Sequence, residues 1–356
     1  MQTRKNSLIF CGEGKLLQES RCQRNNEALV QRRSWGAIFK ERRSESFAAE
    51  ETVFICHMTN KDRFFHLTYD KWRSRIAIEG GIVMNRIIHE KQDMTHLSWS
   101  KIRNSSGTAG SFLKAYSILG GRKTYYKLSN YDKTKGVVGH ECVNEIIVDR
   151  LLDILGIPHL HYQLIHADVI IDGKRQDVYL CASEDFKQKG ESKLALDAYW
   201  EIERAEQESE LDFCIRNGWE EYVYQMMVLD FLILNRDRHG ANIEVLRNGR
   251  KKTIHLAPIF DHGLSLLFSC TDDSSVAEYD VMADKRVNNF IGSSSTWENL
   301  RSIPKEKLPQ LHALKETDRD FLMNGLDGII SQTLQDKIWE MIWKRWCAYE
   351  DLCHSR

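Results

Sequence analysis

Residues 230–263, DFLILNRDRHGANIEVLRNGRKKTIHLAPIFDHG, constrain this chain more than any other stretch. Val223, Met226, Met227, Phe231 and Leu234 recur at helical spacing, so a buried helix is expected to lead into it. A polar loop follows and holds Asp237, His239 and Asn242. Residues 243–246 and 253–257 predict short strands joined by a turn at Asn248-Gly249. Such a hairpin would carry Asp261 back beside Asn242. Taken singly, each polar residue is equally well explained as a loop side chain bonding nearby backbone amides.

Taken together, the residues suit phosphoryl transfer. Magnesium takes oxygen ligands and needs only one or two carboxylates when nucleotide phosphates and water complete its shell. Asn242 and Asp261 supply that minimum, which leaves Asp237 to orient a hydroxyl and accept its proton. The spacing D-x-H-x-x-N followed by D-x-G resembles the catalytic and metal-binding segments of HipA-like kinases and, more distantly, of phosphoinositide kinases. His239 follows the Asp, as in those families, and the resemblance implies that it supports the loop. One departure is the polar His262 inside D-H-G, where protein kinases carry an apolar residue.

The upstream chain is in the order that this resemblance requires. Ser105-Ser106-Gly107-Thr108-Ala109-Gly110-Ser111 is a run of small residues whose amides can approach phosphate oxygens closely. It lacks the lysine of a Walker loop. A strand over 112–119, a Gly120-Gly121 turn and a strand over 124–129 come next, the second with Lys127 and Tyr125 on one face. A largely buried helix is predicted from near Gly139 to a C-cap at Gly156, with Pro158 beyond. Glu141 and Glu145 lie on one face of it, and either can reach Lys127. The segment NEIIVDRLLDILGIP resembles its HipA-family counterpart, which favours Glu145. Two strands around Asp172-Gly173 then lead to Ser183-Glu184-Asp185-Phe186, a hinge in the kinase arrangement.

The resemblance covers residues 100–350. It implies an α+β, two-lobed protein-kinase-like fold, with a mainly β N-lobe at 101–186 and a mainly α C-lobe at 187–356. It also implies ATP and magnesium as cofactors and a protein Ser or Thr as acceptor. Carried over by position, Asp237 and His239 form the catalytic pair, and Asn242 and Asp261 hold metal. Ser106, Gly107, Thr108, Gly110, Lys127, Glu145 and Glu184 meet the nucleotide. Two alternatives stay open. One is a metal-dependent hydrolase using Asp237, His239, Asp261 and His262. The other is a pseudokinase serving as a regulatory binding module.

Composition limits the partners. The net charge is −1, with 50 basic against 51 acidic residues, so no charge excess draws nucleic acid or an anionic membrane. Nine cysteines without a CxxC pair, and no secretory apolar region, predict reduced thiols in a cytoplasmic protein. Residues 1–50 hold ten Lys or Arg against six Glu and read as a basic, poorly ordered extension. Residues 51–100 read as an accessory segment of short strands and a helix. After Gly263, a Ser-rich stretch reads either as a substrate-facing loop or as an ordinary surface loop. Ile330, Leu334, Ile338, Ile342, Trp346 and Tyr349 predict the core stripe of a closing helix.

Overall fold

The computed structural model describes residues 86–100 and 112–355. The chain divides into two units, Met1–Phe64 and Phe65–Arg356, and every described residue lies in the second. The basic extension at 1–50 and the small-residue loop with Ser106, Gly107, Thr108 and Gly110 lie outside the described residues.

The first half is built on one sheet. Its strands are β1 (Ile87–Asp93), β2 (Lys114–Leu119), β3 (Arg122–Leu128), β6 (Gln163–Ile171) and β7 (Lys174–Glu184), in the order β1-β6-β7-β3-β2. A short hairpin, β4 (Tyr131–Asp132) and β5 (Gly136–Val137), follows β3. The β2–β3, β3–β7 and β6–β7 pairs are antiparallel, whereas β1 runs parallel to β6. Period-2 alternation sorts the side chains. Leu128, Ile165, Val178 and Leu180 form one core beneath the sheet, while Leu164 and Cys181 face the helix on the other side.

That helix, α1 (Glu141–Leu155), is buried along nearly its whole length. It ends where expected: Gly156 adopts φ +74°, and its N–H caps the Asp153 carbonyl. A Cβ at Gly156 would meet the His312 ring at 2.6 Å, so the position needs glycine on two grounds.

The second half is mainly helical. β8 (Ser192–Ala195), α2 (Leu196–Glu203), α3 (Glu210–Arg216) and α4 (Glu220–Ile233) precede β9 (Asp237–Arg238). β10 (Glu244–Asn248) and β11 (Thr253–Leu256) form the expected hairpin, and β8 joins its other edge. After it come α5 (Asp273–Ala277), β12 (Asn288–Asn289), α6 (Thr296–Ser302), α7 (Asp318–Met323) and α8 (Gln332–Ser355). The core stripe of α8 is present at Leu334, Ile338, Ile342, Trp346 and Tyr349. Ile330 instead precedes the helix and packs half-buried against the same core.

Two buried arginines tie this half together. Arg345 of α8 donates to the carbonyls of Phe231, Val281 and Ala283 at 2.7–3.0 Å, the first of them in the last turn of α4. Burial pulls its guanidinium down to about 10. Arg238 pairs with Asp230 of α4 and donates to the Phe260 carbonyl at 2.8 Å, which joins the polar loop to the strand before Asp261. None of the described helices is long and apolar enough to cross a membrane.

Candidate active site

Helix α1 carries an acidic residue every fourth position, at Glu141, Glu145, Asp149 and Asp153, so the four share one face. Carboxylates on a buried helix must find donors. Each here does. Glu141 accepts the Asn130 N–H at 3.0 Å. Glu145, fully buried, accepts Lys127 Nζ at 3.1 Å. Asp149 and Asp153 both pair with Arg86.

Lys127 therefore meets Glu145 rather than Glu141. Its ammonium also bonds the Asp261 carboxylate at 2.5 Å, which unites sheet, helix and the D-H-G turn at one atom. Burial would lower the Lys127 ammonium, but the charges of Asp261 and Glu145 outweigh it and hold the pKa well above its ordinary value. Burial raises the Glu145 carboxyl, and the lysine charge opposes that rise.

Glu145 has a second task. Its two oxygens accept the backbone N–H groups of His262 (2.8 Å) and Gly263 (3.1 Å). The neighbouring Asn144 side chain donates to the carbonyls of Gly263 and Ser265, both at 3.0 Å. Gly263 is closely packed: a Cβ there would lie 3.1 Å from both Lys127 Nζ and the Glu141 Cβ, so its neighbours would have to shift slightly.

These residues floor a cavity of about 160 Å³ lined by Tyr125, Lys127, Glu145, Tyr162, Phe186 and Asp261, among others. Ser183 and Phe186 of the expected hinge belong to its wall. Glu184 does not; its exposed carboxylate lies 3.8 Å from Arg122. Lys193 lies over the Phe186 ring at 3.8 Å and bonds Asp185 at 2.8 Å.

Asp237, His239 and Asn242 stand beyond the cavity wall, in the loop after α4. The Asn242 amide donates to the Asp237 carbonyl at 2.8 Å, which turns its Oδ1 away from that carbonyl. Asp237 Oδ1 accepts the Asn288 side-chain amide at 3.1 Å, and its Oδ2 is 3.7 Å from His239 Nε2. His239 Nδ1 accepts the Ala241 N–H, so the ring braces the loop. The Asn242 side-chain oxygen and the Asp261 carboxylate are donor types that magnesium takes.

Backbone bonds hold the loop to the D-H-G turn. The Arg236 N–H donates to the Leu264 carbonyl at 2.9 Å, and the Arg236 carbonyl accepts the Asn288 N–H at 2.9 Å. β12 thus runs parallel to β9, which brings the end of the Ser-rich stretch against Asp237.

His262 is turned into the protein toward Arg238. It is 1% exposed, and its Nδ1 accepts from Arg238 at 3.2 Å. Burial and the arginine charge push its pKa well below the ordinary value, so it stays neutral. This gives the polar residue in D-H-G a buried hydrogen-bond partner of its own.

A second cluster lies behind the first. Asp149 Oδ1 is 3.1 Å from both His159 Nε2 and His161 Nδ1, and it also accepts the Tyr162 N–H. Ligand atoms this close could hold a metal, but Arg86 already supplies a cation to the same carboxylate. Burial raises the Asp149 carboxyl, and the two histidine hydrogen bonds and the Arg86 charge overcome this and hold it at about 2.

Sequence reasoning missed Asn144, Tyr162, Arg238 and Asn288. Only Asn144 and Arg238 carried a signal, a polar residue within an apolar helix and a charge inside the catalytic motif.

No protein-family model and no curated protein matches the chain. Among solved structures, the Helicobacter pylori proinflammatory kinase CtkA is similar, with a TM-score of 0.50, covering 75% of this chain and 98% of that one. This is a kinase fold. At 16% identity the likeness speaks to the fold alone, and it agrees with the expected kinase-like fold. A chain from the Shewanella oneidensis MR-1 complex of HipA, HipB and operator DNA also aligns. Its TM-score is 0.34 and its identity 15%, over 83% of this chain and 67% of that chain.

Proposed function

We propose that this protein is a HipA-like kinase that transfers the γ-phosphate of ATP to a protein Ser or Thr hydroxyl with magnesium. The observation that carries the reading is the meeting of Lys127 with both Glu145 and Asp261 at the floor of a cavity. A strand lysine oriented by a helix glutamate, beside a metal-binding aspartate, is the charge arrangement that phosphoryl transfer uses. In this reading the chain has two lobes, with Ser183 and Phe186 at the hinge between them.

Each residue then has a task. Lys127 neutralises phosphate charge, and Glu145 keeps its ammonium in place. Asn242 and Asp261 would hold magnesium, which supplies charge neutralisation on the β- and γ-phosphates when bound. Asp237 receives the acceptor hydroxyl through a carboxylate oriented by Asn288, and it accepts the proton that leaves. The small-residue run 105–111, expected to meet the phosphates, lies outside the described residues.

Purified protein incubated with γ-labelled ATP and magnesium, alone and with lysate proteins, tests the reading. Label should appear on protein Ser or Thr, and Asp237→Asn should abolish it. Release of phosphate from unrelated esters without ATP preference would instead favour the hydrolase.

A further inference from the structure

Three consecutive amides carry the D-H-G turn, and Glu145 accepts only two of them. The first, the Asp261 N–H, goes to the hydroxyl of Tyr162 at 3.2 Å. Asp261 adopts φ +61°, a left-handed conformation that a residue with a Cβ seldom takes. Such a conformation persists only where the surroundings fix it.

Tyr162 is placed to fix it. The side chain is buried and lines the cavity beside Lys127 and Asp261. Its backbone N–H is bonded to Asp149 Oδ1 at 3.3 Å, and Asp149 is itself held by Arg86, His159 and His161. The linker before it is bonded to the segment before Asp261, with the Leu160 N–H on the Ile259 carbonyl at 2.9 Å. A rigid chain of contacts thus runs from α1 through Tyr162 to the Asp261 backbone.

We infer that Tyr162 is a positioning residue, whose hydroxyl sets the backbone of Asp261 so that the carboxylate faces metal and Lys127. The inference rests on the kinase reading and extends it to a residue outside the motifs. Removing the hydroxyl takes away this hydrogen bond to the Asp261 amide and lets the left-handed turn relax. The carboxylate then spends less time in its binding orientation, which weakens metal before it slows chemistry.

Magnesium titrations of phosphoryl transfer in wild type, Tyr162→Phe and Asp261→Asn test this at saturating ATP. Tyr162→Phe should raise the magnesium half-saturation by about 10- to 100-fold, the range for residues that support metal ligands, and by a larger factor than kcat falls. Lower kcat at unchanged half-saturation, or no change at all, overturns the inference. Hydrogen exchange at the Asp261 amide of wild-type protein gives a readout that needs no variant: slow exchange is expected, and exchange at the open-chain rate overturns it. A magnesium-ATP thermal shift that is present in wild type and reduced in Asp261→Asn keeps the kinase reading in place whatever Tyr162→Phe does. Absence of both shift and transfer in wild type removes the reading and the inference together.

Discussion

The Glu145 carboxylate accepts the His262 backbone N–H at 2.8 Å, so the side chain that holds Lys127 also shapes the turn that presents Asp261. Glu145→Gln puts an NH2 group against one of three donors and leaves a buried donor unsatisfied, a loss of about 1–3 kcal/mol. Glu141→Gln keeps an oxygen for the Asn130 N–H. Parallel transfer assays and thermal melts should rank Glu145→Gln as the more damaging by both measures. The reverse order would assign the ion pair to the wrong turn of the helix.

Lys127→Met should abolish phosphoryl transfer and also lower stability. It leaves the buried Glu145 and the partly exposed Asp261 facing each other without their shared cation. Breaking a buried pair by removing one partner costs about 3–5 kcal/mol. Urea unfolding should show a lower midpoint with an unchanged slope. Transfer at the wild-type rate in this variant would remove Lys127 from the site.

Asp237→Asn and Asp261→Asn should separate the two acidic roles. A ligand that binds only the native state at a hundredfold excess over Kd stabilises it by about 2.7 kcal/mol. With magnesium and ATP, the thermal shift should persist in Asp237→Asn, which loses transfer, and shrink in Asp261→Asn. The opposite pattern would exchange their roles.

The histidine cluster predicts a pH dependence. The hydrogen bond to Asp149 raises the His161 imidazole above its ordinary 6.5, against the effect of burial. A raised folded pKa gives stability that is complete below pH 6.5 and is lost as pH rises through the folded value. Asp149 has the opposite sign: its contribution is present above the ordinary 3.8 and is lost as pH falls toward about 2. Melting temperatures of wild type and His161→Gln should therefore differ most near pH 6 and converge toward pH 9. A constant gap across that range would show that His161 does not titrate against Asp149.

Much of this architecture was legible in local pattern. The 3.6-residue repeat of α1, the glycine at its end and the turn at Asn248-Gly249 are features that neighbouring residues determine among themselves. The Lys127–Glu145 pair was reachable because strand and helix periodicity place each side chain on a known face. Tyr162 and Asn288 were not, since nothing near them in sequence marks the backbone amide or carboxylate that they meet. β1 was hard to place for a similar reason: IIHEKQD alternates poorly, and its parallel partner β6 lies far along the chain. Glu184 was assigned from its neighbours, and the side chain that reaches the cavity wall is Phe186.

Arg236 gives the Ser-rich stretch the topology of a closed ring: the chain leaves at Leu264 and returns at Asn288, and both ends are bonded to that one residue. The ring is anchored along its length, with Leu266, Leu267, Val276 and Val281 in the core and the Val281 and Ala283 carbonyls on Arg345. Extra length can enter at its exposed bend, near Thr271 and Asp272, with these anchors on either side of it. A short Gly-Ser insertion there should leave the magnesium-ATP thermal shift unchanged, and a lost shift would show that the ring is under tension.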